Sequence, residues 1–138
     1  PFVRQFDAML IEPPVYLAAM LADVRAAAGA VRVMELGDRE AVRRLPERVV
    51  VNCSGLGAKA LFGDDELVPI KGQLTFLLPQ PEVDYVVLNR EYYMFPRSDG
   101  ILLGGTHDRG VWSLEPDLEA KARILAAHRE FFESFRPC

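Results

Sequence analysis

Hydrophobic and polar positions in the first 36 residues change between the spacing of a strand and the spacing of a helix. From residue 2 to residue 11 they alternate weakly, and the two prolines that follow end the predicted strand. Apolar side chains then recur at helical spacing from Val15 to Val24, and Gly29 is placed to cap that helix. Residues 30–36 form the next predicted strand, so the pattern predicts a β-α-β unit.

A short polar helix is predicted over residues 39–45, because Asp38 is placed to cap its start and Pro46 to end it. The three consecutive valines at 49–51 then predict a buried strand. The residues after them are typical of a sharp turn and of the opening of another short helix at 58–61. A strand, a glycine turn and a helix are thus expected to follow one another directly.

The glycine turn is a candidate binding element. Gly55 and Gly57 carry no Cβ, so backbone N–H groups there are accessible to an anionic ligand. Their spacing to Ala60 fits a relaxed form of the dinucleotide-binding fingerprint. A complete fingerprint has an acidic residue about twenty positions later, and residues 73–79 contain none. A turn that serves packing alone is therefore an equal alternative.

Beyond Ile70 the pattern changes to short strands at close spacing, separated by turns. The predicted strands are residues 72–78, 85–88, 92–95 and 101–104, and residues 96–100 are predicted to form a hairpin turn. Strands this close together leave no room for crossover helices, so the sheet is predicted to be antiparallel.

The chain ends in a predicted helix that begins at Glu115-Pro116-Asp117. Its predicted apolar face consists of Leu118, Ala122, Leu125 and Phe132. The whole pattern predicts one α+β (mixed α/β) domain over residues 1–138: a β-α-β start joined to an antiparallel sheet with a flanking C-terminal helix.

Composition narrows the class of protein. The chain has 138 residues, half of them hydrophobic, which is enough for one core, and its net charge is −4. The basic residues are scattered, which disfavours nucleic acid and acidic membrane surfaces as partners. Cys53 and Cys138 are far apart, and neither a membrane-spanning run nor a leader is evident, so we expect a soluble, cytoplasmic protein in a reducing compartment.

Acid–base and metal chemistry have few candidates. His107 lies in a loop just after a strand, from which it could reach a cleft, whereas the mid-helix position of His128 favours a surface or packing role. Neither has a nucleophile arranged beside it, so a hydrolase is disfavoured. The three acids at 64–66 favour a solvated loop over a metal site, because consecutive carboxylates point in different directions.

Tyr92 and Tyr93 are the more suggestive polar aromatics. Neighbouring residues of a strand face opposite sides, so at most one of the two lies on a ligand-binding side. A tyrosine there offers an apolar wall and one hydroxyl, which can orient a small amine or carboxylate. Ordinary packing in the sheet is the alternative that the residues alone favour.

Several segments together resemble the D-amino-acid oxidase family of flavin-dependent amine oxidoreductases. They are Val-Val-Val-Asn-Cys-Ser-Gly at 49–55, Pro-Ile-Lys-Gly-Gln at 69–73, Tyr-Met-Phe-Pro at 93–96, Gly-Ile-Leu-Leu-Gly-Gly at 100–105 and Gly-Val-Trp-Ser at 110–113. The strand and helix around Met-Leu-Ile-Glu-Pro-Pro-Val-Tyr-Leu at 9–17 also resemble the family's sequence. Their order and spacing match over nearly the whole chain.

The resemblance implies an FAD-dependent oxidoreductase that oxidises the C–N bond of a D-amino acid or related small amine by hydride transfer to flavin. Dioxygen or another acceptor then takes the electrons. Tyr93 falls at a family tyrosine that lines the substrate pocket. Leu36 falls where the family's backbone meets the adenine end of FAD, and Cys53, Ser54 and Gly55 fall on the turn near the flavin. The resemblance gives no catalytic side chain and no metal ligand.

The family's N-terminal Gly-x-Gly-x-x-Gly segment, its carboxylate-binding arginine and its last flavin loop have no counterpart here, although Phe-Arg-Pro at 135–137 resembles the start of the arginine segment. The resemblance therefore implies a middle fragment, mainly the substrate domain, that is inactive alone and self-associates through an exposed apolar face. A glycine/sarcosine-type amine oxidase and a dehydrogenase of the same superfamily remain alternatives. A non-catalytic ligand-binding or interaction module is the alternative from another class.

Overall fold

The computed structural model describes residues 3–89 and 92–135. They form two compact units, which divide between Glu35 and Leu36. Cys138 and the Arg-Pro pair at 136–137 lie outside the described residues. No helix in the described part of the chain is long and apolar enough to cross a membrane.

The first unit contains one helix, α1 (Pro13–Ala26), which begins with the two prolines as predicted. At its end the Gly29 N–H donates to the Val24 carbonyl over 2.8 Å, and the Ala28 N–H donates to Arg25. The left-handed residue of this cap is Ala28, at φ 61°, and not Gly29. Gly29 is required for a different reason: a Cβ there would lie 2.6 Å from Val24 Cγ1.

The predicted strands that flank α1 are wrong. Residues 3–11 and 30–36 have no regular secondary structure, and nearly all of their side chains are exposed. Val33, for example, is fully exposed. β-branched residues stabilise a strand only when its N–H and C=O groups pair with a neighbouring strand, and no described segment pairs with either of these. The β-α-β start is therefore reduced to its helix.

Two short helices open the second unit, α2 (Arg39–Arg43) and α3 (Gly57–Phe62). As predicted, Asp38 caps α2, with its carboxylate accepting the Ala41 N–H over 2.7 Å. The Arg39 guanidinium donates to the Phe62 carbonyl over 2.8 Å and thereby joins the two helices. The predicted strand at 49–51 is wrong: these valines are exposed and unpaired within the described part of the chain.

The antiparallel sheet is confirmed. Its strands are β1 (Ile70–Lys71), β2 (Leu74–Leu77), β3 (Val87–Asn89), β4 (Tyr92–Arg97), β5 (Gly100–Gly104) and β6 (Asp108–Arg109). β1 pairs with β6, and the other four form a sheet in the order β2-β5-β4-β3. The predicted hairpin joins β4 to β5 through Ser98 and Asp99, which sets Tyr93 opposite Gly104.

The last helix, α4 (Leu118–Glu133), packs on one side of this sheet. The Asp117 side chain caps it, and the Gln73 side-chain amide hydrogen-bonds to both the backbone carbonyl and the backbone N–H of Asp117. Gln73 Nε2 donates to the Asp117 carbonyl over 2.6 Å, and the Asp117 N–H donates to Gln73 Oε1 over 2.7 Å. Gln73, just before β2, thus fixes where the helix begins.

The buried face of α4 differs from the prediction. Ala120, Ile124 and His128 are buried, whereas Leu118 is 75% exposed and Ala122 is also exposed. The core beneath the helix consists of Met94, Ile101, Leu103 and Ile124, with Leu125 and Phe132 packed at its border. The α+β class is confirmed, but the helix presents a face that is rotated from the predicted one.

Asp117 makes the stability of the fold depend on pH. Its pKa lies below the ordinary 3.8, chiefly because its carboxylate accepts the Ala120 N–H. The Glu119 N–H and the charges of Arg123 and Lys71 act in the same direction, against partial desolvation.

A depressed carboxyl pKa stabilises the fold above the ordinary value, and this contribution is lost as the pH falls through the folded-state pKa. As the pH falls below the ordinary pKa of 3.8, we expect urea denaturation to show the loss of that contribution in the wild type and no such loss in Asp117→Asn. Parallel pH profiles for the two proteins would contradict this assignment.

Thr75 is expected to limit the stability of the core. Its side chain is 7% exposed, and its hydroxyl has no hydrogen-bond partner among the residues that the structure describes. Valine has nearly the same shape, so Thr75→Val removes an unpaired buried hydroxyl without creating a cavity. We expect the free energy of unfolding to rise by about 1 kcal/mol in urea denaturation. Unchanged or lower stability would indicate that the hydroxyl is satisfied by a buried water.

Candidate functional site

The side of the sheet that faces away from α4 carries large apolar side chains. Alternation along β4 places Tyr93 and Phe95 on this side and Met94, which packs with Ile124, on the other. Directly paired residues share a side, so the set extends over the neighbouring strands. We call this side the aromatic face; its members are Leu74, Phe76, Leu88, Tyr93, Phe95 and Leu102.

Much of the aromatic face is open to solvent. Phe76 and Leu88 expose 51% and 66% of their surface, and Tyr93 and Phe95 are half-buried. A contiguous apolar surface of this kind is typical of a binding site or of an interface with another part of the protein. Ordinary sheet packing does not account for it, because the described residues of the second unit bury Leu102 but leave the other members of this face half-buried or exposed.

The Tyr93 ring lies directly over a backbone without side chains. A Cβ built on Gly104 would be 2.1 Å from ring atoms Cε2 and Cζ, and one built on Gly105 would be 2.9 Å from the hydroxyl. On its other side the ring packs against Phe95, with 5.4 Å between centroids and 60° between planes. The two glycines therefore form the seat that holds the phenol ring on the aromatic face.

His128 holds the backbone of the same residue from the opposite side of the sheet. Its Nδ1 lies 2.7 Å from the Ile124 carbonyl oxygen and its Nε2 lies 3.1 Å from that of Tyr93. The Tyr92 ring packs edge-on against the imidazole at 5.7 Å. His128 is 6% exposed, so the packing role that the sequence indicated is the one the structure has.

Arg97 stands at the edge of the aromatic face, and its charge is already paired. Its guanidinium donates to both carboxylate oxygens of Asp99, over 2.8 Å and 2.7 Å. The same group lies 5.4 Å from the centre of the Phe76 ring. The arginine side chain is 13% exposed, which leaves little of it for a ligand.

The glycine turn at 52–55 is exposed and internally hydrogen-bonded. Asn52 Oδ1 accepts from the Ser54 hydroxyl over 2.7 Å and from the Ser54 N–H over 3.1 Å. The N–H groups of Gly57 and Ala58 donate to the carbonyls of Ser54 and Gly55. Gly55 adopts a positive φ of 56°, as expected of a glycine in a sharp turn. Three of the N–H groups that an anion would need are therefore already engaged.

The predicted site residues lie at three places in the second unit. Tyr93 is on the aromatic face, Cys53, Ser54 and Gly55 form the exposed turn, and Leu36 is half-buried just before α2. No hydrogen bond or ring contact between described residues joins these three places. The roles of Leu36, Cys53, Ser54 and Gly55 in binding a cofactor stay predictions.

Sequence reasoning missed the residues that surround Tyr93. The signal was present: a two-residue hairpin turn after Arg97 fixes the register of the two strands and places Gly104 opposite Tyr93. Alternation then adds Phe95 to the same side. The sequence does not indicate which side of the sheet α4 covers.

Comparison with known sequences identifies the family. The model of the FAD dependent oxidoreductase (DAO) family matches residues 3–137, nearly the whole chain. The chain belongs to this family. The resemblance drawn from the motifs is thereby confirmed, and with it the expectation of FAD-dependent oxidoreductase chemistry in the family to which the chain belongs.

Curated relatives of this DAO-family chain are named as oxidases of D-amino acids. It is 37% identical to a D-amino-acid oxidase of Rubrobacter xylanophilus over 126 residues, which are 88% of this chain and 38% of that protein. It is 30% identical to a human D-aspartate oxidase over 127 residues, 91% of this chain and 37% of that protein. A D-amino acid oxidase of Dugesia ryukyuensis is 30% identical over 112 residues, 80% of this chain and 33% of that protein. The chain thus spans 33–38% of the length of these relatives.

The aromatic face is compatible with the cofactor that the DAO family uses. It is broad and apolar, carries a phenol hydroxyl and has a paired cation at its edge, which suits a planar ring system with a small substrate against it. The turn at 52–55 is less suited to a phosphate, because its Ser54, Gly57 and Ala58 N–H groups are engaged.

Proposed function

We propose that the intact protein is an FAD-dependent oxidase of D-amino acids or related small amines, and that residues 1–138 are a single domain supplying its substrate-facing half. The observation that carries the proposal is the open aromatic face around Tyr93 in a chain of the DAO family. The FAD-binding N-terminal and C-terminal segments are proposed to lie elsewhere in the protein, which agrees with a match to 38% of the Rubrobacter relative.

The proposed role of the residues of this chain is to bind the substrate, to orient it and to exclude water from it. Tyr93 supplies an apolar wall and a hydroxyl that can donate to the substrate carboxylate, and Phe95 and Phe76 extend the wall. FAD, when bound, would supply the two-electron oxidation of the substrate C–N bond, with dioxygen or another acceptor as the final oxidant. Holding the α-carbon in one orientation against a preformed wall is the contribution that the protein makes to rate.

The substrate side chain is proposed to be neutral. One of the relatives is a D-aspartate oxidase, whose name implies an acidic substrate. Here the cation at the aromatic face, Arg97, already holds the Asp99 carboxylate through two hydrogen bonds. A second carboxylate there would have to displace Asp99 or remain unpaired, and an unpaired charge next to apolar side chains is unfavourable.

Leu36, Cys53, Ser54 and Gly55 are proposed to contact the cofactor through backbone and van der Waals contacts rather than as a phosphate cradle.

A cytoplasmic location is also part of the proposal, and the exposed free thiol of Cys53 supports it. Recovery of the native protein from the culture medium with Cys53 oxidised would contradict that location.

The test uses the complete reading frame that contains these residues. We expect the purified protein to be yellow and its visible flavin band to bleach anaerobically with D-alanine and not with L-alanine. D-alanine should bleach it faster than D-aspartate, and sarcosine should bleach it slowly. A reading frame bounded by these residues, a colourless protein or equal bleaching by both enantiomers would contradict the proposal.

A further inference from the structure

A cavity lies on the opposite side of the sheet from Tyr93. Its volume is about 460 Å³, and it is bounded by Tyr92 of β4, residues 105–108 and Ala120, Arg123 and Ile124 of α4. Tyr92 and Tyr93 are neighbours in a strand and face opposite sides. The cavity therefore opens on the side away from the Tyr93 ring, although the two places share the Gly105 backbone, and the inference does not rest on the function proposed for the aromatic face.

The cavity has an apolar wall and a cationic rim. The half-buried Tyr92 ring supplies aromatic surface, and Arg123 and His107 supply donors, whereas Ala120 and Ile124 are each 1% exposed and only close the floor. Arg123 forms no ion pair within 4.0 Å with a described residue, so its guanidinium fork is available. Its charge is felt by Asp117, whose pKa is lowered first by the Ala120 N–H and then, more weakly, by Arg123.

The carboxylates nearby limit what the cavity accepts. Asp108 lines it, and Asp117 caps the helix on which Arg123 stands. A multiply charged anion such as phosphate would be repelled by the Asp108 carboxylate that lines the cavity, whereas a single carboxylate can be held by the Arg123 fork alone. An apolar or aromatic body on the same molecule would lie against the half-buried Tyr92 ring.

We propose that this cavity binds a small organic monocarboxylate with an apolar body, its carboxylate on Arg123 and its body against the Tyr92 ring. Thr106 and His107 supply further donors along the rim. The ligand class is defined by two requirements that can be tested separately: one negative charge and one hydrocarbon or aromatic group.

The test uses the ¹⁵N-labelled 138-residue chain and the probe 3-phenylpropionate, with its neutral amide as the matched probe. We expect the carboxylate to shift the backbone amide signals of Thr106, His107 and Ile124, and the neutral amide to bind at least about tenfold more weakly. Arg123→Gln should weaken binding of the carboxylate by about tenfold or more. Arg129→Gln, on the same helix but outside the cavity, should leave it within about twofold.

Inorganic phosphate should produce no saturable shift at these residues. Equal binding of the carboxylate and the amide would overturn the proposal even if Arg123→Gln failed to fold. It would also be overturned by unchanged affinity in a folded Arg123→Gln, by shifts confined to Leu88 and Phe95 on the aromatic face, or by no saturable shift at all.

Discussion

Gly104→Ala is expected to drive the Tyr93 ring off the aromatic face and to destabilise the fold by about 1–3 kcal/mol. A Cβ at this position would lie 2.1 Å from two ring atoms of Tyr93, a separation that real Cβ atoms do not show. The ring must rotate away, and it then loses both its seat and its contact with Phe95. Urea denaturation measures the loss, with Gly37→Ala as control, because a Cβ at Gly37 would have no atom within 4 Å.

A double-mutant cycle separates this clash from a general intolerance of side chains in β5. In a Tyr93→Ala background the ring is absent, so Gly104→Ala should lose most of its effect, within about 0.5 kcal/mol of neutral. Additive effects of the two substitutions would contradict the claim that Gly104 is the seat of Tyr93. A Gly37→Ala variant as unstable as Gly104→Ala would contradict it as well.

Ile124→Ala is expected to cost about 2–5 kcal/mol of the free energy of unfolding. Ile124 is 1% exposed and is the contribution of α4 to the core with Met94, Ile101 and Leu103. Truncation removes buried surface and leaves a cavity between helix and sheet. The matched variant is Leu118→Ala on the same helix; Leu118 is 75% exposed, so we expect a change within about 0.5 kcal/mol.

This pair of variants decides which face of α4 is buried. The face predicted from the sequence contains Leu118 and excludes Ile124, so it requires the reverse order of effects. Comparable urea midpoints for wild type and Ile124→Ala, or a larger loss in Leu118→Ala, would contradict the packing described here.

The β4–β5 hairpin and the position of α4 were predictable because local signals determine them. The turn residues after Pro96 and the alternating apolar residues on either side place the hairpin, and Asp117 marks the start of the helix. These signals act over a few residues, and the same residues make the contacts. Which face of α4 is buried is not determined locally, because Gln73, just before β2, holds Asp117 through two hydrogen bonds and thereby sets how the helix lies.

The strands predicted at the start of the chain are a case in which local sequence signals do not determine the structure. Val31, Val33 and the valines at 49–51 have strand propensity, but they have no pairing partner in the described residues and remain exposed. His128 shows a related limit, because its ring nitrogens reach two backbone carbonyls that periodicity counts as unrelated.

For the candidate site, the sequence analysis predicted Tyr93 but not the residues that surround it. Family resemblance pointed to that residue, and hairpin register could have added Gly104. Phe76 comes from a strand that is distant in sequence, and only the pairing of β2 with β5 brings it to the same side. The role of the turn at 52–55 depends on whatever approaches it, which no local pattern in this chain defines.

The central claim is that Tyr93 lies against the substrate, and it is tested most directly by the affinity of the complete flavoprotein for D-alanine in anaerobic titration. We expect Tyr93→Ala to raise the dissociation constant by about tenfold or more, and Tyr93→Phe to raise it less, because the wall remains and only the hydroxyl is lost. Tyr85→Phe, at a tyrosine outside the aromatic face, should leave the affinity unchanged. Wild-type affinity in a folded, flavin-containing Tyr93→Ala would contradict the account.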